Sequence, residues 1–321
     1  MKNQKTAILI VNLGSPKAPT ASALKPYLRQ FLSDPRIVES ENFFQKILWQ
    51  TILNLIILQK RPRNSAKKYQ SVWMNKESPL LFYTKAIFNK IREKSKCYVD
   101  FAMRYGTPSI PYKLAELQRN GFHKILIVPL FAQYSATTIG SIMDEVARYL
   151  LLVRQQPKIR AVQGWFDDAG YIESLIQTIE SQKDCPKDIL VSFHGIPKKY
   201  ADAGDPYRAQ CGATFQLLSE RLPQKRFHLA FQSCFGPAEW LEPYAIDCFE
   251  NFPKKGIHNL AVICPGFCTD CLETLEEIEI AGKKVFLENG GKNFVYLKAL
   301  NDGDFWMENL WRIIQKELAG F

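Results

Sequence analysis

The residues best suited to chemistry are one histidine and a row of carboxylates. His194 stands directly after a short apolar run, and four glutamates, Glu273, Glu276, Glu277 and Glu279, share one stretch of helical length. Residues four apart on a helix lie on one face with Cβ atoms about 6 Å apart, which pairs Glu273 with Glu277. Such a row is either a solvated acidic face or a site that attracts a cation and exchanges protons, because crowding raises the pKa of one carboxyl group.

Three cysteines, Cys264, Cys268 and Cys271, form a C-x3-C-x2-C run. Radical enzymes hold a four-iron cluster with this spacing, and Cys234 and Cys248 could complete a four-thiolate iron–sulfur site. The run follows the seventh predicted strand, however, and no glycine-rich cofactor segment accompanies it. Free thiols of a reduced, cytoplasmic protein are the alternative, and the first residues carry too short an apolar run for a signal peptide.

Other active-site patterns are missing from the sequence. It contains no Gly-x-Ser-x-Gly elbow of a serine hydrolase and neither of the glycine-rich motifs that bind dinucleotides or nucleoside triphosphates. One imidazole facing a carboxylate row offers too few ligands for a closed zinc site. The combination suits a reaction that moves protons and a hard cation.

The elements that must position these residues alternate between strands and helices. Short β-branched runs separated by amphipathic stretches predict an α/β fold with two similar Rossmann-like domains, each a four-stranded parallel sheet flanked by helices. The first domain would cover residues 1–165 and be joined by a C-terminal helix at 304–321, and residues 166–303 would form the second. The predicted strands are Ala7–Val11, Tyr98–Met103, Lys124–Val128, Lys158–Val162, Ile189–Phe193, Arg226–Phe231, Leu260–Ile263 and Asn293–Leu297.

Topology then ranks the polar residues, because ligands of open parallel sheets bind beyond the carboxyl ends of the strands. Of the four histidines, His194 alone ends a predicted strand. Arg104 and Tyr105 follow the second strand, and Tyr134 follows the third. We therefore expect His194 to be functional and these three side chains to lie at the same kind of edge.

The net charge and one apolar segment indicate which kinds of partner this protein could bind. A formal charge of +10 favours an anionic partner, but no nucleic-acid-binding motif accompanies it, so nucleic acid is not expected. The apolar segment Phe43–Leu58 is too short and too polar to span a bilayer. It is either a packed helix or an exposed lip, within about residues 41–80, that contacts a membrane at its periphery or admits a flat apolar ligand.

Several long motifs, in order along the chain, resemble those of bacterial protoporphyrin ferrochelatases. The similarity runs from Ile8 to about Ala299. It implies two similar domains with a porphyrin cleft between them, and insertion of Fe²⁺ into protoporphyrin IX as the last step of haem biosynthesis, without a required cofactor. The motifs are Ser192-Phe-His-Gly-Ile-Pro197, Gly204-Asp-Pro-Tyr207, Gln232-Ser233 with Gly236-Pro237 and Trp240, and the segment Cys264–Ile278.

The resemblance also implies roles for individual residues. His194 is similar to the metal-site histidine of the family, Glu273 to its opposing carboxylate, and Glu277 to the next carboxylate on the helix. His194 would accept pyrrole protons, and Glu273 would supply negative charge for Fe²⁺. Some bacterial members carry a [2Fe–2S] cluster, for which Cys234, Cys248, Cys264, Cys268 and Cys271 are the candidate ligands here. The implied porphyrin contacts are Arg61, Tyr69, Ser78, Arg104, Tyr105, Tyr134 and Trp240.

Three alternatives to a protoporphyrin ferrochelatase stay open. A chelatase for another tetrapyrrole, such as coproporphyrin or a cobalt-precorrin, is the nearest. A carrier of porphyrin or haem would bind without turnover and would leave the acidic face of Glu273 and Glu277 unexplained. A radical iron–sulfur enzyme would use the C-x3-C-x2-C run.

Overall fold

The computed structural model describes residues 5–39, 42–236 and 238–321. Residue 41, at the start of the predicted lip, and Pro237, in one of the motifs, lie outside the described residues. The chain forms two compact units. Unit 1 contains the chain up to Leu130, Ala136–Gln163 and Ile314–Phe321, and unit 2 contains Phe131–Ser135 and Gly164–Ile313.

Unit 1 is built on a parallel sheet that has four strands within the described residues, in the order β2-β1-β3-β4. Residues Ala7–Val11 of the central strand are completely buried, as expected for a strand covered on both faces. The elements are β1 (Lys5–Gly14), α1 (Ala21–Leu32), α2 (Phe43–Ile52), α3 (Leu58–Val72), α4 (Pro79–Lys94), β2 (Tyr98–Tyr105), α5 (Ile110–Arg119), β3 (Phe122–Pro129), a π-helix (Ala136–Gly140), α6 (Ser141–Leu152) and β4 (Lys158–Ala161).

The predicted lip is a helical segment of unit 1. It runs from α2 through a short π-helix (Leu53–Ile57) into α3. Most apolar side chains of α2 face solvent, with Phe43 71% exposed and Phe44 81% exposed, whereas Leu53 and Leu58 further along the segment are buried. The exposed alternative therefore describes this segment better than the packed helix. Among the residues that the structure covers, no helix is long and apolar enough to cross a membrane.

Unit 2 has the same arrangement of four parallel strands, counted over its described residues, in the order β6-β5-β7-β8. The last helix, α12, begins in unit 2, and its residues from Ile314 onward belong to unit 1. The elements are α7 (Ala169–Ser181), β5 (Asp188–His194), α8 (Lys198–Asp202), α9 (Tyr207–Arg221), β6 (Arg226–Gln232), α10 (Ala245–Asn251), a 3₁₀ turn (Pro253–Lys255), β7 (Asn259–Ile263), a π-helix (Glu273–Gly282), α11 (Lys283–Glu288), β8 (Asn293–Leu297) and α12 (Asp304–Leu318).

The predicted α/β fold with two four-stranded parallel sheets is confirmed over the described residues. The observed strands differ from the predicted ones by a few residues at their ends. The acidic row is the main local difference, because the sequence predicts ordinary helical spacing there. It lies on the π-helix Glu273–Gly282, in which each turn closes between residues five apart.

Candidate active site

The candidate site in unit 2 begins with His194, the last residue of β5. The side chain is half-buried, and its Nδ1 atom lies 2.6 Å from the carbonyl oxygen of Gly195. A carbonyl oxygen only accepts, so the hydrogen of this bond belongs to Nδ1, and the neutral ring keeps its lone pair on Nε2. This orients His194 as a proton acceptor or metal ligand through Nε2.

Ser233, directly after β6, fixes the carboxylate of Glu277. The backbone N–H of Ser233 donates to Oε1 at 2.7 Å, and its hydroxyl donates to Oε2 at 2.5 Å. The backbone of Ser233 has a φ of +66°, in the left-handed region that costs a non-glycine residue about 1–3 kcal/mol. Strain of this kind is common at functional sites, and here it occurs in the residue that donates two hydrogen bonds to the Glu277 carboxylate.

The electrostatics of Glu277 connect it to His194 and Glu273. Burial raises the pKa of the Glu277 carboxyl, and the charge of Glu273 raises it further. The hydrogen bonds from Ser233 and the charge of His194 oppose this rise. A carboxyl group with a raised pKa exchanges protons more readily near neutral pH. Glu277 thus lies close enough to both His194 and Glu273 for their charges to influence its carboxyl group.

Glu273 is the first residue of the π-helix that follows β7. Its side chain is half-buried, and its backbone carbonyl accepts a hydrogen bond of 2.8 Å from Nε2 of Gln232. The far end of the π-helix packs tightly on α10, because a Cβ atom at Gly282 would lie 2.7 Å from the ring of Phe249. Both ends of the acidic helix therefore contact neighbouring elements of unit 2, β6 at the start and α10 at the end.

Two predicted porphyrin contacts also belong to unit 2. Trp240 is buried, and its indole N–H donates to the carbonyl oxygen of Phe235 at 3.0 Å. A Cβ atom at Gly195 would lie 3.2 Å from the Trp240 ring, so this ring supports the residue after His194. Tyr134 is half-buried, and its backbone N–H donates to Oε1 of Gln210 at 2.6 Å. Contact of either aromatic ring with a porphyrin stays a prediction.

Three predicted contacts lie on the lip and the start of α4 in unit 1. Arg61 is half-buried and Tyr69 is buried, both on α3. Ser78 is buried, donates to the hydroxyl oxygen of Ser15 at 2.7 Å and accepts from the N–H of Leu81 at the start of α4. Ser78 therefore has a capping role of its own beside the predicted one.

Arg104 and Tyr105, at the end of β2, lie in a buried polar network of unit 1. Nη2 of Arg104 is 2.5 Å from Oδ2 of Asp34, and the hydroxyl of Tyr105 donates to the same oxygen at 2.7 Å. Nε of Arg104 also donates to the hydroxyl oxygen of Ser141 at 2.6 Å. Arg104 is 5% exposed and Tyr105 is 0% exposed. Their observed contacts are internal, and direct contact with a substrate stays a prediction.

The five candidate cluster cysteines lie in different surroundings. Cys234 is exposed, whereas the other four are buried. Cys248 packs in the apolar core of unit 2, the thiol of Cys264 donates to Oε1 of Gln232 at 3.5 Å, and burial raises the pKa of the Cys268 thiol to about 12. Over the described part of the chain, no three His, Cys, Asp or Glu side chains are grouped so as to hold a metal ion. Binding of an iron–sulfur cluster by these thiols stays a prediction.

Comparison with known proteins decides the family. The family model described as Ferrochelatase matches residues 5–318. This chain belongs to the ferrochelatase family. A ferrochelatase of Dechloromonas aromatica is 45% identical over 98% of the chain and 89% of its own length. A ferrochelatase of Francisella tularensis subsp. tularensis is 44% identical over 99% of the chain and 97% of its own length. The family membership makes this protein a chelatase that inserts a metal ion into a porphyrin.

Solved structures support the same fold. SirB from Bacillus subtilis with Fe³⁺ superposes with a TM-score of 0.60 at 14% identity, covering 98% of this chain and 95% of that one. CbiX, described as the terminal enzyme for biosynthesis of sirohaem in denitrifying bacteria, gives 0.52 at 12% identity, covering 97% and 98%. At these identities the likeness shows the two-sheet chelatase fold.

The sequence assigned no role to Gln232, Ser233 or Asp34, although the structure places all three in hydrogen-bond networks with predicted site residues. Gln232 is the last residue of the sixth strand and Ser233 follows it, and this position at the carboxyl end was the available signal. Asp34 had no such signal, because it lies at the end of a helical stretch and its partner Arg104 is 70 residues away. Contacts over such distances are visible only in the folded chain.

Proposed function

We propose that this chain inserts Fe²⁺ into protoporphyrin IX and forms protohaem, a lyase reaction in the cytoplasm. Insertion of Fe²⁺ releases two pyrrole protons, so the site needs a proton acceptor and negative charge for the cation. His194 offers the acceptor through Nε2, and Glu273 and Glu277 offer the charge. The observation that supports this most is the bond from Nδ1 of His194 to the Gly195 carbonyl, which leaves the Nε2 lone pair of the neutral ring available to accept a proton.

We propose two proton transfers, one for each pyrrole proton. In the proposed sequence, Nε2 of His194 takes a pyrrole proton and the ring becomes an imidazolium, which the carboxylate of Glu277 stabilises. Glu277, whose pKa is raised by burial, then accepts this proton and passes it to water. The second pyrrole proton leaves in the same way. Glu273, at the start of the π-helix, attracts Fe²⁺ and replaces part of its water shell.

The remaining predicted residues would hold the porphyrin. We assign Arg61 to a propionate group, because a guanidinium pairs with a carboxylate through two parallel hydrogen bonds. Apolar and aromatic surface would cover the ring, and buried polar groups would orient it. The residues proposed for these contacts are Tyr69, Ser78, Arg104, Tyr105, Tyr134 and Trp240.

We also infer that the lip touches a membrane at its periphery. Exposed Phe43 and Phe44 at the start of α2 would insert among the headgroups, and exposed Lys60 and Lys67 on α3 would face anionic lipid. Sedimentation with phosphatidylserine vesicles measures this contact. Loss of binding in Phe44→Glu is expected, and equal sedimentation of both proteins would exclude the lip as the contact.

Substrate choice is tested by anaerobic addition of Fe²⁺ to the protein with protoporphyrin IX, with coproporphyrin in a parallel reaction. The absorbance change of metallation is recorded for each. Faster metallation of protoporphyrin IX is expected. Preference for coproporphyrin would replace the proposed substrate, and tight porphyrin binding without metallation would indicate a carrier.

A further inference from the structure

Gln232, the last residue of β6, has several contacts that take no direct part in the proposed chemistry. It is 3% exposed. Its side-chain Oε1 accepts from the hydroxyl of Ser192 at 2.8 Å and from the thiol of Cys264 at 3.5 Å. Its Nε2 donates to the backbone carbonyl of Glu273 at 2.8 Å. The two ends of one amide thus contact three places in the chain: β5, the residue after β7 and the start of the π-helix.

Two of those partners belong to the segments that carry the candidate catalytic groups. Ser192 precedes His194 by two residues on β5, and Glu273 opens the π-helix. The backbone carbonyl of Gln232 also accepts from the N–H of Gly195 at 2.8 Å, directly after His194. Gln232 therefore contacts β5 before and after His194 and, at the same time, the first residue of the acidic helix.

The chemistry of the amide explains why glutamine suits this position. Ser192 supplies a hydroxyl hydrogen, and the Glu273 carbonyl can only accept, so the position needs one acceptor and one donor on the same rigid group. A glutamate of equal length would offer acceptors alone and place a charge beside the Glu273 carbonyl. A methionine would fill the volume and leave a buried hydroxyl and a buried carbonyl without partners, at a cost of about 1–3 kcal/mol for each group.

We propose that Gln232 is a positioning residue that sets the distance between the His194 imidazole and the Glu273 carboxylate. The inference rests on the proposed function of this site. Catalytic groups must stay within about 0.5 Å of their productive geometry, and side chains behind them supply that precision. Gln232 acts through both groups without touching the substrate.

The experiment compares Gln232→Met with Ser174→Ala in the full-length protein. Ser174 is buried in α7 of the same unit and has hydrogen bonds to Gly170 and Asn309, so its loss also removes buried hydrogen bonds. Calorimetric titration with Co²⁺, used as the probe metal, measures binding at the site without any turnover. His194→Ala shows which part of that binding belongs to the site.

Gln232→Met is expected to weaken Co²⁺ binding about 10–100-fold, as is usual when partners of metal-binding groups are removed. It should lower kcat/KM for Fe²⁺ in parallel and leave KM for the porphyrin unchanged, whereas Ser174→Ala changes only the Tm. Ser192→Ala removes a single contact of the amide and should give a smaller loss, which provides the test if Gln232→Met does not fold.

Two results would overturn the inference. One is wild-type Co²⁺ affinity in the Gln232 variant or in Ser192→Ala, and the other is an equal loss of affinity in Ser174→Ala. Absence of turnover by the wild-type protein would reject the proposed function instead, since the Co²⁺ titration does not depend on turnover. If the wild-type protein showed no Co²⁺ binding that depends on His194, the positioning role would be rejected as well.

Discussion

Asp34→Asn tests whether charge holds the buried network of unit 1. The substitution keeps the shape of the side chain and removes the negative charge that faces Arg104. Both residues are about 95% buried, since Asp34 is 4% exposed and Arg104 is 5% exposed. Glu145 is the other carboxylate near the guanidinium, at 3.6 Å from Nη1. Removing one partner of a buried pair costs about 3–5 kcal/mol, and the nearby Glu145 places this case near 3 kcal/mol.

Thermal unfolding followed by circular dichroism measures the loss. A destabilisation of about 3 kcal/mol corresponds to a decrease in Tm of roughly 6–12 °C for a unit of this size. The double variant Asp34→Leu with Arg104→Met removes both charges and should recover most of the stability, because apolar pairs often replace buried ion pairs without loss. An unchanged Tm in Asp34→Asn would refute the reasoning, and so would a double variant less stable than the single one.

Three further outcomes are expected. Ser233→Gly keeps the left-handed backbone and the N–H bond to Glu277, whereas the alanine of Ser233→Ala must adopt a φ of +66°. In a stopped-flow assay, Ser233→Gly should therefore insert metal faster than Ser233→Ala. Equal rates of the two variants would show that this backbone strain is irrelevant. Gly282→Ala would place a Cβ atom 2.7 Å from Phe249 and should lower stability by about 1–3 kcal/mol in urea unfolding, whereas an unaltered midpoint would mean that the ring moves aside freely. Burial alone would raise the pKa of Asp34, but its hydrogen bonds and the charge of Arg104 hold it below its usual range. Its contribution to stability is therefore present above about pH 4 and is lost as the pH falls through the folded pKa, so the Tm difference between wild type and Asp34→Asn should shrink in acid and not in base.

The sheets and the place of His194 were predictable because they depend on simple patterns. Runs such as Ala7–Val11 consist of apolar residues throughout, and a strand of this kind is stable only with both faces covered. Alternation with helical stretches makes the strands parallel, and parallel strands place their carboxyl ends at one edge. A histidine that ends such a strand is thereby directed to a ligand-binding edge, whatever its partners are.

The detail of the site depends on packing that no local pattern encodes. The buried residues of the acidic helix are Thr274, Ile278 and Gly282, a spacing of four that an α-helix would also allow. The close contact of Gly282 with Phe249 and the bond from Gln232 to the Glu273 carbonyl accompany the wider π-helical turn. These contacts join segments far apart in the chain.

The central claim is tested most directly by metal insertion in His194→Ala, with His228→Ala as the matched control. His228 lies within β6, where its Nε2 is 3.0 Å from Oδ1 of Asp188. The assay is anaerobic addition of Fe²⁺ to protein saturated with protoporphyrin IX. We predict that His194→Ala loses about 10²–10⁴-fold in rate while it still binds the porphyrin, and that His228→Ala turns over like the wild type. Normal turnover by His194→Ala would contradict the account.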